Sequence, residues 1–256
     1  MIHETAIIDP NARLADDVQV GAFSIIGADV EIGSGTVIGS HVVIKGPTRI
    51  GKDNHIYQFN SIGEAPQDKK YDGEPTLLEI GDRNTIREFC TFNRGTVQDI
   101  GTTKLGDDNW VMAYVHIAHD CVIGNNCILA NNAALAGHVI VGDWVICGGY
   151  SKIHQFCKIG DHAFLGFDSG LHQDVPPYVT VAQNPAKPYG INSEGLRRRG
   201  FTSEQIRNIK KAYRTLYRSN LKLEEARDEL SKLAQDAEEI KVMVDFLGES
   251  SRGIVR

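Results

Sequence analysis

The stretch HIAHDC, 116–121, places His116, His119 and Asp120 within a run that is otherwise apolar. A carboxylate beside an imidazole can fix its tautomer and leave one ring nitrogen free to take a proton near neutral pH. His119 with Asp120 is therefore a candidate general base with its orienting partner. Further on come Gly137, His138, His154 and Gln155. If the chain winds at 18 residues per turn, His119, Gly137 and Gln155 form one column, His138 stands over Asp120, and His116 and His154 join the same band. Gly137 has no side chain to bar a reactant, and its N–H could face an oxyanion. Base, orienter and oxyanion donor make an acyl-transfer set without a protein nucleophile. Two other readings compete: corner residues that only make hydrogen bonds, and a zinc site built from the histidines. Zinc is disfavoured because a third histidine would have to come from another subunit and no acidic or cysteine ligand completes the set.

The interval of 18 comes from a repeat. Aliphatic residues recur every sixth position at Ile2, Ile8, Leu14, Val20, Ile26, Ile32, Ile38, Ile44, Ile50, Ile56 and Ile62, and the period resumes from Ile80 and again from Leu105 to Leu171. A helix of 3.6 residues per turn cannot produce this pattern. Glycine often follows the aliphatic residue, as at Gly21, Gly33 and Gly51, which suggests tight corners. Four residues after the aliphatic position stands something small or β-branched, such as Ser24, Thr36, Ala133 or Ser151. The pattern predicts a parallel β-helix of three short strands per turn, rising roughly 4.8 Å per turn. Four of the five cysteines occupy the small interior position and Cys147 an aliphatic one, so packing accounts for them.

The chain of 256 residues has 41% apolar and 23% charged residues and a net charge of −6. These values fit a globular protein and argue against nucleic acid as a partner. No apolar run is long enough to span a membrane and no leader-like segment opens the chain, so the expected location is cytoplasmic. The cysteines lack a CxxC spacing, in keeping with reduced thiols.

Two stretches break the period, near 63–79 and near 97–104, and loops that leave a rigid repeat often carry function. The expected organisation is a β-helix over 1–189 and a helical domain over 190–256. Within the latter, Thr202 and Gln205 form a capping box ahead of an apolar face from Ile206 to Tyr217, and two further helices follow.

The motifs QDKKYDGEPT, IREFCTFNRGT, HIAHDC, ILANNAALAGHV, IHQFC, DVPPYV and NSEGLRRRGF occur in this order, and with them the whole chain resembles the UDP-N-acetylglucosamine 3-O-acyltransferases. The resemblance implies a left-handed β-helix, although parallel crossovers are usually right-handed. It further implies a homotrimer with sites between subunits, no cofactor and no metal. The implied reaction moves an (R)-3-hydroxyacyl group from acyl carrier protein to the 3-hydroxyl of UDP-N-acetylglucosamine, the first step of lipid A biosynthesis. On this footing His119 is the base, Asp120 its partner and Gly137 the oxyanion donor. Gln67, Asp68 and Lys70 contact substrate, and His116, His138, His154 and Gln155 line the cleft. Asn192, Glu194 and Arg198 hold the nucleotide, an arginine fork suiting a pyrophosphate. Phe167 takes the place of the acyl-chain ruler, where glycine would leave a longer groove. Many relatives have histidine where this chain has Asn93. The basic row Arg198, Arg199, Arg207, Lys210, Lys211, Arg214 and Arg218 is a candidate dock for the acidic carrier. Competing identities are another acyltransferase of this fold, a metal-dependent hydratase and a non-catalytic scaffold.

Overall fold

Strands of mostly two residues turn the repeat into a three-sided coil. In the computed structural model, which describes residues 1–256, they fall into sheets of nine, eight and ten strands, parallel throughout except for the last strand of the third. Residues 18 apart pair directly, Ile7 with Ile25 and Ile25 with Val43. The repeating aliphatics from Val20 onward point inward and are buried, and the small positions, Ser24, Thr36, Ala133 and Ser151, fill the space between them. All five cysteines are buried and free, and burial pushes the Cys90, Cys121 and Cys127 thiols up to about 12.

Buried polar side chains inside the coil pair with backbone one turn on. Asn54 Oδ1 accepts from Asn84 N at 2.9 Å, Asn84 Oδ1 from Asn109 N at 2.9 Å, and Asn109 Oδ1 from Cys127 N at 2.8 Å. Each amide satisfies a donor that would otherwise be buried without a partner.

The glycines after the aliphatic positions differ in purpose from the corner role their sequence suggests. Gly21 and Gly33 have no left-handed φ; a Cβ on Gly21 would lie 2.7 Å from the Gly39 backbone, and one on Gly33 2.7 Å from Gly51. Close stacking of turns excludes a side chain there. The left-handed bend comes two residues later, on side chains as large as Phe23, Asp120, His138 and Phe156.

Three corners separate the sheets. Both interruptions leave from the corner between the first and second sheets: Ser61 pairs with Thr91, 30 positions on, and Thr91 with His116, 25 positions on, before the interval of 18 returns. HIAHDC turns at this same corner.

The chain leaves the coil through an antiparallel pair, Val179–Ala182 with Lys187–Ile191. Helices α1 (Ser193–Arg198), α2 (Ser203–Arg218), α3 (Leu223–Leu233) and α4 (Glu238–Glu249) follow. The Thr202–Gln205 capping box starts α2 as expected. The sequence reading did not single out α1, whose six residues include a glycine and three charged side chains and show no apolar stripe. Leu196, Ile206, Ile209, Leu216, Leu230, Ile240 and Met243 pack into a core of their own, whereas Tyr213 and Val255 join the core of the coil. No helix is long and apolar enough to cross a membrane.

Candidate active site

His119 follows the strand His116–Ile117, and its Nδ1 lies 2.9 Å from Asp120 Oδ2. With Nδ1–H donated to the carboxylate, Nε2 is left as the nitrogen that can accept a proton. Asp120 is buried at a left-handed bend. Its oxygens also accept from the Thr96 hydroxyl at 2.6 Å and the Thr96 N–H at 3.0 Å. Burial on its own would raise the carboxyl, but the bonds from His119 and Thr96 outweigh it and hold Asp120 below the usual carboxylate range.

Gly137 lies one turn on, where a Cβ would come within 2.5 Å of His119 Cε1 and 2.7 Å of Nε2. Its N–H has no hydrogen-bond partner within the chain, and Gln155 continues the column, exposed. His138 stacks flat on Phe156 with centroids 4.3 Å apart and meets the His119 ring edge-on at 4.9 Å.

The band of four histidines divides in two. His116 bonds through Nδ1 to Thr91 Oγ1 at 2.7 Å. It lines a separate groove of about 440 Å³ on the first sheet, together with Lys152, His154, His172 and Asn184. Burial, with a smaller contribution from nearby His119, lowers the His116 pKa. A surface depression of about 800 Å³ lies over the second sheet. It is crossed by the ion pairs Arg13–Glu31, Arg49–Glu31 and Lys104–Glu79 and holds none of the expected site residues.

The first insertion carries Gln67, Asp68 and Lys70, with Gln67 and Lys70 exposed and the Lys70 N–H bonded to Asp68 Oδ1 at 3.0 Å. Asn93 is buried and donates from Nδ2 to Ala65 O at 3.0 Å, so it pins the base of this loop. Arg94 donates to Gly63 O at 2.6 Å and to the Tyr71 hydroxyl at 2.8 Å. Arg94, Tyr71 and Thr96 were missed by sequence reasoning; a polar cluster next to an interruption of the period was the signal available.

The nucleotide candidates already have partners within the chain. Asn192 caps α1, accepting from Gly195 N at 3.1 Å and donating to His162 O at 3.1 Å, while Glu194 pairs with Arg197 and Arg198 at 2.6 and 3.1 Å. Arg199 leaves the expected basic row: it lies over the Trp144 ring at 5.1 Å and bonds His162 Nδ1 at 3.1 Å. The other residues of that row are exposed. Phe167 is 73% exposed and touches Tyr150 edge-on, at the corner between the third and first sheets and not at that of His119.

Contrary to the expectation from sequence, an acidic group does complete a candidate zinc set. His119, Asp120 and His138 each offer a donor atom within 4.8 Å of the others. His119 and Asp120 are already bonded to each other and His138 Nδ1 to Asp99, so a metal held through these nitrogens would have to break both bonds.

A triangular coil with a polar corner defines a class, the hexapeptide-repeat transferases. Residues 11–46 and 102–137 match the model described as bacterial transferase hexapeptide (six repeats), and 174–255 match domain 2 of UDP-N-acetylglucosamine O-acyltransferase. The chain is 59% identical to the acyl carrier protein–UDP-N-acetylglucosamine O-acyltransferase of Herminiimonas arsenicoxydans, covering 100% of this chain and 99% of that one. It is also 59% identical to the same-named protein of Neisseria meningitidis serogroup B, with the same coverage. Among solved structures, the UDP-N-acetylglucosamine O-acyltransferase of Moraxella catarrhalis superposes with TM-score 0.98 at 50% identity, covering 100% of this chain and 99% of that one. The Francisella novicida enzyme superposes with TM-score 0.98 at 43% identity, covering 100% and 94%. The chain belongs to the UDP-N-acetylglucosamine O-acyltransferase family.

Proposed function

We propose that this protein transfers an (R)-3-hydroxyacyl group from acyl carrier protein to the 3-hydroxyl of UDP-N-acetylglucosamine, the first step of lipid A biosynthesis. The observation that carries the reading is the 2.9 Å His119–Asp120 bond with Gly137 directly against the ring. His119 Nε2 takes the proton of the sugar hydroxyl as its oxygen attacks the thioester carbonyl. The Gly137 N–H donates to the oxyanion that forms. Collapse expels the carrier thiolate, which regains the proton from the His119 imidazolium, so no protein-bound intermediate is needed. Asp120 stays ionised throughout and stabilises the imidazolium.

Gln67, Asp68 and Lys70 would meet substrate from the loop beside this corner, His138 and Gln155 would line its path at the corner, and His116 and His154 would line it along the groove of the first sheet. Asn192, Glu194 and Arg198 would hold the nucleotide once the Glu194–Arg198 pair opens. Phe167 would close the acyl groove. Because Phe167 and His119 stand on different corners of one chain, a groove joining them calls for a neighbouring copy, which favours a homotrimer. The exposed row Arg207, Lys210, Lys211, Arg214 and Arg218 would face the acidic carrier.

The test is turnover of UDP-N-acetylglucosamine with 3-hydroxyacyl carrier proteins of increasing length, read by product mass. Acylated sugar nucleotide with a maximum at one length is expected, and Phe167→Gly should move that maximum to longer donors. An unmoved maximum removes the ruler role; no product at any length overturns the reaction.

A further inference from the structure

Asp99 sits in the second insertion, and neither the sequence reading nor the proposed reaction gives it a role. Its Oδ2 lies 2.6 Å from His138 Nδ1, a short charge-assisted contact across 39 positions of chain. The loop that carries it is tied down on both sides. Gly95 N donates to Leu77 O, Leu77 N donates to Gly101 O, and Thr96 is bonded to Asp120. The groups facing His138 are Asp99 from this loop, Asp120 Oδ2 at 4.0 Å, the edge of His119 and the face of Phe156. Asp120 is thus within reach of two imidazoles and already holds one.

We infer that Asp99 is a positioning residue that allots one carboxylate to each imidazole: it engages His138 Nδ1 and so leaves Asp120 to His119. The role rests on the acyl-transfer reading above. Pinned through Nδ1 and stacked on Phe156, His138 presents Nε2 as a single defined polar group next to the base. Without Asp99, the nearest carboxylate for His138 Nδ1 is Asp120, and turning toward it would compete with His119 for Oδ2.

The experiment uses the full-length protein labelled with 15N-histidine, with His138→Gln to assign the His138 ring, and compares it with Asp99→Ala. In the intact protein the neutral His138 ring is expected to carry its proton on Nδ1. In Asp99→Ala that Nδ1–H signal should shift as Nδ1 exchanges Asp99 for the more distant Asp120, and the His119 signals should shift with it as Oδ2 is shared. Turnover should fall about tenfold in kcat, because an Asp120 shared with His138 orients the base His119 less well. The Kd for UDP-N-acetylglucosamine should stay within twofold, and Asp99→Glu should restore part of kcat. An unchanged His138 signal in Asp99→Ala overturns the inference whatever the turnover does, and so does an unchanged kcat. If the intact protein turned over no substrate while the shifts of both rings appeared, the reaction would fail and the catalytic role of the pair with it; the ring signals would locate the failure there and not in the pairing.

Discussion

His119 and His162 occupy different corners of one coil and have been given opposite neighbours. His119 faces a buried carboxylate, and its second nitrogen is left without a partner in the chain. His162 is packed between Trp144 and Tyr178, both stacked parallel to it, and its Nδ1 meets the Arg199 guanidinium. Burial, reinforced by the Arg199 charge, lowers the His162 pKa from 6.5 to about 4, so the ring is neutral at pH 7. One corner suits a ring that must gain and lose a proton; the other suits a ring that must never gain one. The comparison shows that a histidine in this repeat takes its meaning from the charge one turn or one loop away.

The hardest test of the contrast is an exchange of symptoms. His119→Ala should lower kcat/KM about 10³-fold with little change in melting temperature, because the ring anchors no core. His162→Phe should keep kcat/KM within about threefold and act on stability instead. If His162→Phe lost as much turnover as His119→Ala, the division between the corners would collapse. Gly137→Ala sharpens the chemical side: its Cβ would displace the His119 ring from Asp120, and kcat should drop about 10²-fold at constant fold, as circular dichroism would verify.

Acid sharpens the structural side. The His162 pKa is lower in the folded chain than in the unfolded one, so the unfolded chain binds more protons below about 6.5, and stability falls as pH falls from about 6.5 toward about 4. Allowing for partial exposure of the ring, the loss is on the order of 2 kcal/mol. Denaturation midpoints against pH should show it, and His162→Phe should flatten that limb. Asp120 has the same sign in a lower window. Its carboxyl is depressed in the fold, so its stabilisation is complete above the ordinary carboxylate value of about 3.9 and fades as pH drops below it.

The repeat carried most of this fold in plain view, because a period of six with a small residue four positions later has few solutions and each aliphatic position from Val20 onward is buried as expected. It was less informative about corners. Glycine marks close approach between turns, and the left-handed φ falls on Asp120 and His138, types that tolerate it, but equally on Phe156, whose side-chain type gives no hint of it. The column of His119, Gly137 and Gln155 followed from arithmetic alone. Thr96, Arg94 and Asp99 did not, since an insertion erases the count that relates one turn to the next. His116 and His154 share a band with His119 in sequence, but successive sides of a triangle face different ways, and these two open onto another groove. Arg199 read as one of a basic row because sequence does not show that Trp144 lies beneath it.

Both detours depart from and return to a single corner, and the pairing of turns beyond them proceeds as if nothing had intervened. The coil therefore behaves as a chassis with one mounting point. Attachments of different length can be fitted there without altering the frame, so variation in the loops around the reacting groups is decoupled from the inheritance of a stable fold.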